Sequence, residues 1–218
     1  MVATSGLMPG TFMVMATKLG EAKKTAVDNF ATVRSSGLIA MDLPPGDELV
    51  SVCLATDKDD VIMVTRHGQS IRFGVDTLRA ASRTSGGVRA MRFTKDDAII
   101  SMDKVDPEGY LLVVSELGYG KITPVSAYPR QHRAGSGVRT FKIVEKTGVA
   151  TAARVVTPEQ QVMLISGQGM MTRTPVKEED PRKGITTQGR STQGVRVMML
   201  EAGDKLVAIT TFEDVKAT

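Results

Sequence analysis

The sequence predicts an all-β chain: a propeller-like array of four blades, each a four-stranded antiparallel sheet, set out as an open arc or partial ring. Three observations carry that expectation. Two short signatures recur four times, about fifty residues apart. Val, Ile and Thr are frequent in the apolar runs, which favours strands over helices. No stretch of helical length keeps a 3.6-residue apolar period. Four short strands per unit suit a propeller blade, and one such sheet cannot bury both faces alone, so neighbouring units must stack. A continuous sandwich or barrel would require the four matches to be accidental.

Within each copy the elements follow in order. The first run is FMVMATKLG (12–20), VIMVTRHG (61–68), LLVVSELG (111–118) or VMLISGQG (162–169). Each ends in glycine, and Gly20, Gly68, Gly118 and Gly169 are separated by 48, 50 and 51 residues. Glycine tolerates a positive φ, so each run should turn there into a hairpin with the shorter run that follows. That shorter run carries a basic member: Lys23 and Lys24, Arg72, Lys121 or Arg173.

After a variable loop comes the second signature: RSSGLIAM (34–41), RTSGGVRAM (83–91), RAGSGVRTF (133–141) and RSTQGVRVM (190–198). A further turn leads to the last run, in PPGDELVSVCL (44–54), TKDDAIISM (94–102) and EAGDKLVAIT (201–210), with a blurred EKTGVATAARV (145–155) in the third copy. The blades fall approximately at 12–56, 61–105, 110–156 and 161–212 of a single repeat domain spanning 1–218. Pro44, Pro45, Pro124, Pro129, Pro175 and Pro181 sit at edges or turns, where a missing N–H is tolerated. Only the fourth copy carries an insertion, KEEDPRKGITTQG (177–189), which reads as an exposed loop.

Composition narrows the function classes. A chain of 218 residues can bury a real core, and with no Trp but 13 Met that core should be aliphatic. The single Cys53 excludes an internal disulfide and fits a reducing compartment. The longest apolar runs are too short to span a membrane, and the start, MVATSGLMPG, lacks a secretory pattern, so a cytoplasmic location is expected.

Nothing looks catalytic. His67, His132 and Cys53 cannot assemble a usual zinc cluster. DKDD (57–60) lacks the rest of a calcium loop, and GYG (118–120) and GQG (167–169) lack the strand-turn-helix of a dinucleotide site. Tyr110, Tyr119 and Tyr128 have no acidic metal-binding set beside them. No metal or cofactor is assigned to this chain.

The net charge of +4 names no partner, but its distribution does more. The second-signature windows hold seven arginines and no acid: Arg34, Arg83, Arg89, Arg133, Arg139, Arg190 and Arg196. The acids lie in other turns, at Asp47, Asp57, Asp59, Asp60, Asp96 and Asp97. If repetition lines these windows along one edge, the arginines form a curved basic stripe. Small residues beside them let backbone N–H groups approach a phosphate while Arg supplies a fork of donors. Lys23, Lys24, Arg72, Lys121 and Arg173 are added as candidate contacts. Such a stripe would follow a duplex backbone by shape and charge, without reading bases. Two other roles remain open: arginines capping a solvated face, and a propeller that binds an acidic protein partner.

TKLGEAKKTAVDNF (17–30), RSSGLIAM (34–41), RTSGGVRAMR (83–92), SELGYGKITPVSAY (115–128) and RSTQGVRVMML (190–200) together resemble the C-terminal domain of DNA gyrase A, over essentially the whole chain. The paralogous topoisomerase IV protein shares the architecture. The resemblance implies a β-pinwheel, in which blades exchange strands, and a non-catalytic role in binding and wrapping double-stranded DNA around the outer rim. It implies a parent type II topoisomerase that introduces negative supercoils as an A2B2 assembly in the cytoplasm, associated with the nucleoid. ATP and Mg2+ belong with that complete enzyme.

The family commonly has six blades, against four here, and a box heptapeptide of the form Gln-Arg-Arg-Gly-Gly-Lys-Gly. Its nearest match is QHRAGSG: Gln131, Arg133, Gly135 and Gly137 agree, whereas His132, Ala134 and Ser136 depart. QGRSTQG (188–194) is a weaker echo. Both stand in later repeats, so the expectation is DNA binding without the full wrap.

Overall fold

The computed structural model describes residues 9–31, 36–94, 96–178, 180 and 183–213. The first repeat contributes β1 (Phe12–Thr17), β2 (Glu21–Ala26) and β3 (Leu49–Ala55). The second contributes β4 (Asp60–Thr65), β5 (Gln69–Gly74), β6 (Val88–Arg89) and β7 (Ile99–Lys104). The third contributes β8 (Tyr110–Ser115), β9 (Tyr119–Pro124), β10 (Val138–Arg139) and β11 (Ala150–Val156). The fourth contributes β12 (Gln160–Ser166), β13 (Met171–Pro175), β14 (Val195–Arg196) and β15 (Leu206–Glu213). Among the described residues the only helical segments are single 3-10 turns, and no helix is long and apolar enough to cross a membrane.

All pairings between these strands are antiparallel, but the sheets are not contiguous stretches of chain. Their strand orders are β3-β1-β2-β6, β10-β5-β4-β7, β11-β8-β9-β14 and β13-β12-β15. The two-residue strand of each repeat therefore completes the sheet of the repeat before it. This is the blade exchange of a pinwheel. The fourth blade has three strands among the described residues, where four were expected, because its outermost strand would have to come from a further repeat.

Each exchange is locked at the hairpin glycine. The Gly20 carbonyl accepts from the N–H groups of Ala90 (2.9 Å) and Met91 (3.2 Å). Gly68 accepts in the same way from Thr140 and Phe141, and Gly118 from Val197 and Met198. The approach leaves no room for side chains: a Cβ at Gly194, whose φ is +75°, would stand 2.6 Å from the Gly120 oxygen.

Apolar cores lie between blades rather than within them. Val14 and Ala16 pack with Met63, Ile71 and Phe73; Ile62 and Val64 with Val113 and Phe141; Leu112 and Val114 with Leu164 and Met198. None of these clusters joins the fourth blade to the first, so the array is an open arc among the described residues. The last strands, β3, β7, β11 and β15, pack side by side from blade to blade and form the inner border. The exchanged strands β6, β10 and β14 lie at the other edge of their sheets, on the perimeter.

The recurrent aspartates are structural. Asp47 Oδ1 accepts from the N–H of Leu19 (2.9 Å), Asp97 from His67 (2.9 Å) and Asp204 from Gln168 (3.2 Å), so each holds the hairpin turn of its own blade. In the blurred third copy Thr147 takes that place, its carbonyl accepting from Leu117 N–H at 3.2 Å.

Candidate nucleic-acid interface

Exchange carries the second signatures to the perimeter, and hydrogen bonds then join them end to end. Asp42 N–H donates to Ser85 O (3.0 Å), Arg92 N–H to Gly135 O (2.9 Å) and Lys142 N–H to Thr192 O (2.9 Å). Two arginines reinforce this rail. Arg83 Nη1 donates to Ile39 O at 2.7 Å, and Arg133 Nη1 to Arg89 O at 3.1 Å. Arg89, Arg133, Arg139 and Arg196 are exposed, and Arg83 and Arg190 half-buried. Arg196 reaches Tyr119, its Nη2 3.2 Å from the phenol oxygen and its guanidinium 5.3 Å from the ring centre. Among the described residues none of the six forms an ion pair with a carboxylate. Arg34 lies outside the described residues.

The basic residues of the second runs behave differently, and here the expectation of outward contacts is corrected. Lys23 and Lys121 are buried beneath the rail. Lys23 Nζ donates to the carbonyls of Arg83 (2.7 Å), Ser85 (2.8 Å) and Ala40 (3.0 Å). Lys121 Nζ donates to Gly189 O, to Arg190 O (2.7 Å) and to Thr192 Oγ1 (3.0 Å). Burial pushes both ammonium groups below their ordinary range, Lys121 to about 8, with Arg83 and Arg190 adding repulsion.

Lys24, also buried, faces Asp57 and Val75 O (3.0 Å). Arg72 is held by Asp60 at 2.9 Å. These four cations are used inside the fold because carbonyl oxygens and carboxylates converge on them. Arg173 is exposed on the fourth blade, over the Phe212 ring at 5.1 Å.

A family model described as "DNA gyrase C-terminal domain, beta-propeller" matches residues 11–52, 59–106, 109–157 and 160–213. The chain belongs to the DNA gyrase C-terminal domain family. The DNA gyrase A protein of Dehalogenimonas lykanthroporepellens is 47% identical over 211 residues, covering 97% of this chain and 26% of that protein. Its Mycolicibacterium smegmatis counterpart is 37% identical over 205 residues, covering 93% of this chain and 24% of its own length. The chain thus spans about a quarter of these curated relatives.

Among solved structures, a DNA gyrase A C-terminal domain superposes with a TM-score of 0.84 at 25% identity, over 96% of this chain and 68% of that one. The C-terminal domain of DNA topoisomerase IV superposes with a TM-score of 0.87 at 19% identity, over 97% and 65%, a likeness of fold.

Within this gyrase-family domain the box-like loop is a junction more than an open cradle. Gln131 N–H donates to Arg72 O (2.8 Å), Ala134 N–H to Ala90 O (2.6 Å), and Gly135 O accepts from Arg92. Ala134 sits at φ +63°, the one left-handed non-glycine among the described residues. His132, Arg133 and Ser136 are exposed or partly so, while Gly137 packs against the Ser70 backbone. Below this loop Ile71 replaces the buried lysine of the neighbouring junctions. Two exposed cations were missed from the sequence, Arg92 and Lys142, each three residues after a rail arginine. The signal was present in VRAMR and VRTFK.

Proposed function

We propose that the chain is the DNA-binding and DNA-wrapping domain of a DNA gyrase A protein, gripping duplex backbone along its perimeter without regard to base sequence. One observation carries this: six arginines stand on a single hydrogen-bonded rail at the outer border with no carboxylate neutralising them among the described residues. Guanidinium groups spaced along a curved edge can each meet a phosphate, and their placement by rigid strand junctions lowers the ordering cost of binding. The 47% identity to a gyrase A protein supports gyrase over the paralogous topoisomerase IV.

In the complete enzyme, a gyrase A dimer with two copies of gyrase B, the domain would feed curved DNA to a catalytic centre outside this chain. ATP and Mg2+ would act there, to drive negative supercoiling in the cytoplasmic nucleoid. Proton or group transfer is not part of its task; it binds and bends.

Resealing relaxed plasmid with ligase at increasing protein ratios tests this. The expected result is a shift in linking number, with affinity that rises with duplex length. Equal affinity for short and long duplexes, together with unchanged linking number, would overturn it and favour an acidic protein partner.

A further inference from the structure

Three strand junctions carry the rail, and four equivalent positions can be compared at each. One is the residue whose N–H ties a second signature to the next: Asp42, which donates to Ser85 O, Arg92, to Gly135 O, and Lys142, to Thr192 O. Another is the arginine that opens the signature, Arg83, Arg133 or Arg190. The last two face each other across the strand pair: Arg89 and Glu21, Arg139 and Gln69, Arg196 and Tyr119.

The repeat preserves the placement of these positions and not their charge. At the first junction two arginines share the rail with two carboxylates, Asp42 exposed and Glu21 half-buried. The second has three guanidinium groups, from Arg92, Arg133 and Arg139, and no acid. The third has Arg190, Arg196 and the Lys142 ammonium, again with no acid. The buried Lys23 and Lys121 add one charge each below the first and third junctions, and Ile71 adds none below the second. Formal charge at these positions therefore climbs along the arc, from +1 to +3 to +4.

Ion pairing is not what sets the first junction apart. Among the described residues neither Glu21 nor Asp42 closes an ion pair with a rail arginine. Arg83 and Arg89 stay available, but a phosphate that reaches them meets two like charges as well. Facing residues of an antiparallel pair have Cβ atoms about 5 Å apart, so a phosphate held by Arg89 lies within the screening length of Glu21, about 10 Å at 0.1 M salt.

The third junction is set up the other way. Arg196 Nη2 donates to the Tyr119 oxygen at 3.2 Å, and its guanidinium stands 5.3 Å from the ring centre. The Lys146 ammonium lies 5.9 Å from the same ring. An arginine already ordered by its neighbour loses less freedom on meeting a phosphate. Neither Glu21 nor Gln69 holds the arginine opposite it by a side-chain hydrogen bond among the described residues.

We propose that the rail is graded: duplex is gripped at the second and third junctions, and Glu21 and Asp42 make the first junction the place where it lets go. This rests on the reading of the perimeter as a DNA-binding surface. A uniform rail would hold a bent duplex along its whole length. A graded one lets the duplex peel from the first repeat while the later repeats keep it, so the bend opens without dissociation.

Backbone amide shifts of the isotope-labelled chain, titrated with a duplex about one helical turn long (about 10 base pairs), test the grading. At the first additions the amides of residues 139–142 and 190–196 should move ahead of those at 42 and 83–89. Glu21→Gln together with Asp42→Asn should bring residues 83–89 into line with the rest. The same pair should tighten binding of a long labelled duplex, read by anisotropy, by about three- to tenfold at 50 mM salt and by less at 200 mM. Glu21→Gln alone, which leaves Asp42 beside the buried Lys23, should give about half that gain on a logarithmic scale. Equal shifts at all three junctions in the parent, or variants with the parent affinity and shift pattern, would overturn the grading and leave the DNA reading standing. No shift at any junction and no binding of the long duplex would remove both.

Discussion

Replacing Arg89 and Arg139 together with Gln should loosen DNA binding in a way that salt makes measurable. Both are exposed on the two-residue perimeter strands, and neither side chain has a polar partner among the described residues, so the fold loses nothing. If the six described rail arginines each meet one phosphate, the slope of log K against log salt is about −5.4, and going from 50 to 200 mM costs about 10^3.3 in affinity. With four contacts the slope falls to about −3.6 and the cost to about 10^2.2. Fluorescence anisotropy with a long labelled duplex, titrated at several salt concentrations, reads both numbers. Arg154→Gln is the control: it removes a positive charge that already pairs with Asp103 at 3.3 Å on β11, at the inner border, and should leave the slope alone. A double variant with the parent slope, or a control that moves the slope as much per charge, would refute phosphate contact by the rail.

Ala134→Gly should stabilise the fold by about 0.5–1 kcal/mol: relief of the left-handed conformation, about 1–2 kcal/mol, exceeds the extra chain entropy of glycine, about 0.5–1 kcal/mol. Urea denaturation checks this, and any loss of stability contradicts it. The Lys121 ammonium, held down to about 8 against an ordinary 10.5, makes the unfolded chain bind more protons than the native one between those values. The burial cost is therefore fully present below about 8 and relieved above it. The parent should gain on Lys121→Met by up to about 3 kcal/mol from pH 8 to 10.5, read by denaturant unfolding at fixed pH, and a flat difference contradicts it. Burial, and then the Asp103 carboxylate, push the Cys53 thiol up to about 12, so a thiol reagent at pH 8 should label it only after unfolding.

The blades were legible because two signatures survive in four copies, and the hairpin glycines mark the count. The direction of strand exchange was not legible from the residues. A two-residue strand such as Val88–Arg89 has too little pattern to say which sheet it joins; the resemblance implied exchange between blades, and the strand order gives its direction. The site was legible in part. The rail arginines fall on the perimeter as the repeat required, but the basic members of the second runs were treated as one class when they are two. Counted from the hairpin glycine, Lys23 and Lys121 stand at the third position, Lys24, Arg72 and Arg173 at the fourth. Alternation sends those positions to opposite faces of the strand. The distinction was present in the spacing; what the spacing could not give was the cluster of loop carbonyls waiting above the third position.

That cluster explains why buried lysine is tolerated here at all. An ammonium withdrawn from water needs several oxygens around it, and each lysine finds them in the turn that carries the next repeat's arginine. The cation below fixes the turn's carbonyls inward, Arg83 and Arg190 of the turns stay half-buried, and the arginines of the strands that follow, Arg89 and Arg196, are exposed. Junction and charge display are thus one device: the strand that completes the neighbouring sheet is the strand that brings the arginine outward. At the middle junction Ile71 fills the same place by packing against Gly135, so neither lysine is required for exchange as such. What the lysines add is orientation of the turn, at the cost of placing like charges close to Arg83 and Arg190. A phosphate arriving at those turns would meet positive charge at two depths, one accessible and one fixed in the fold.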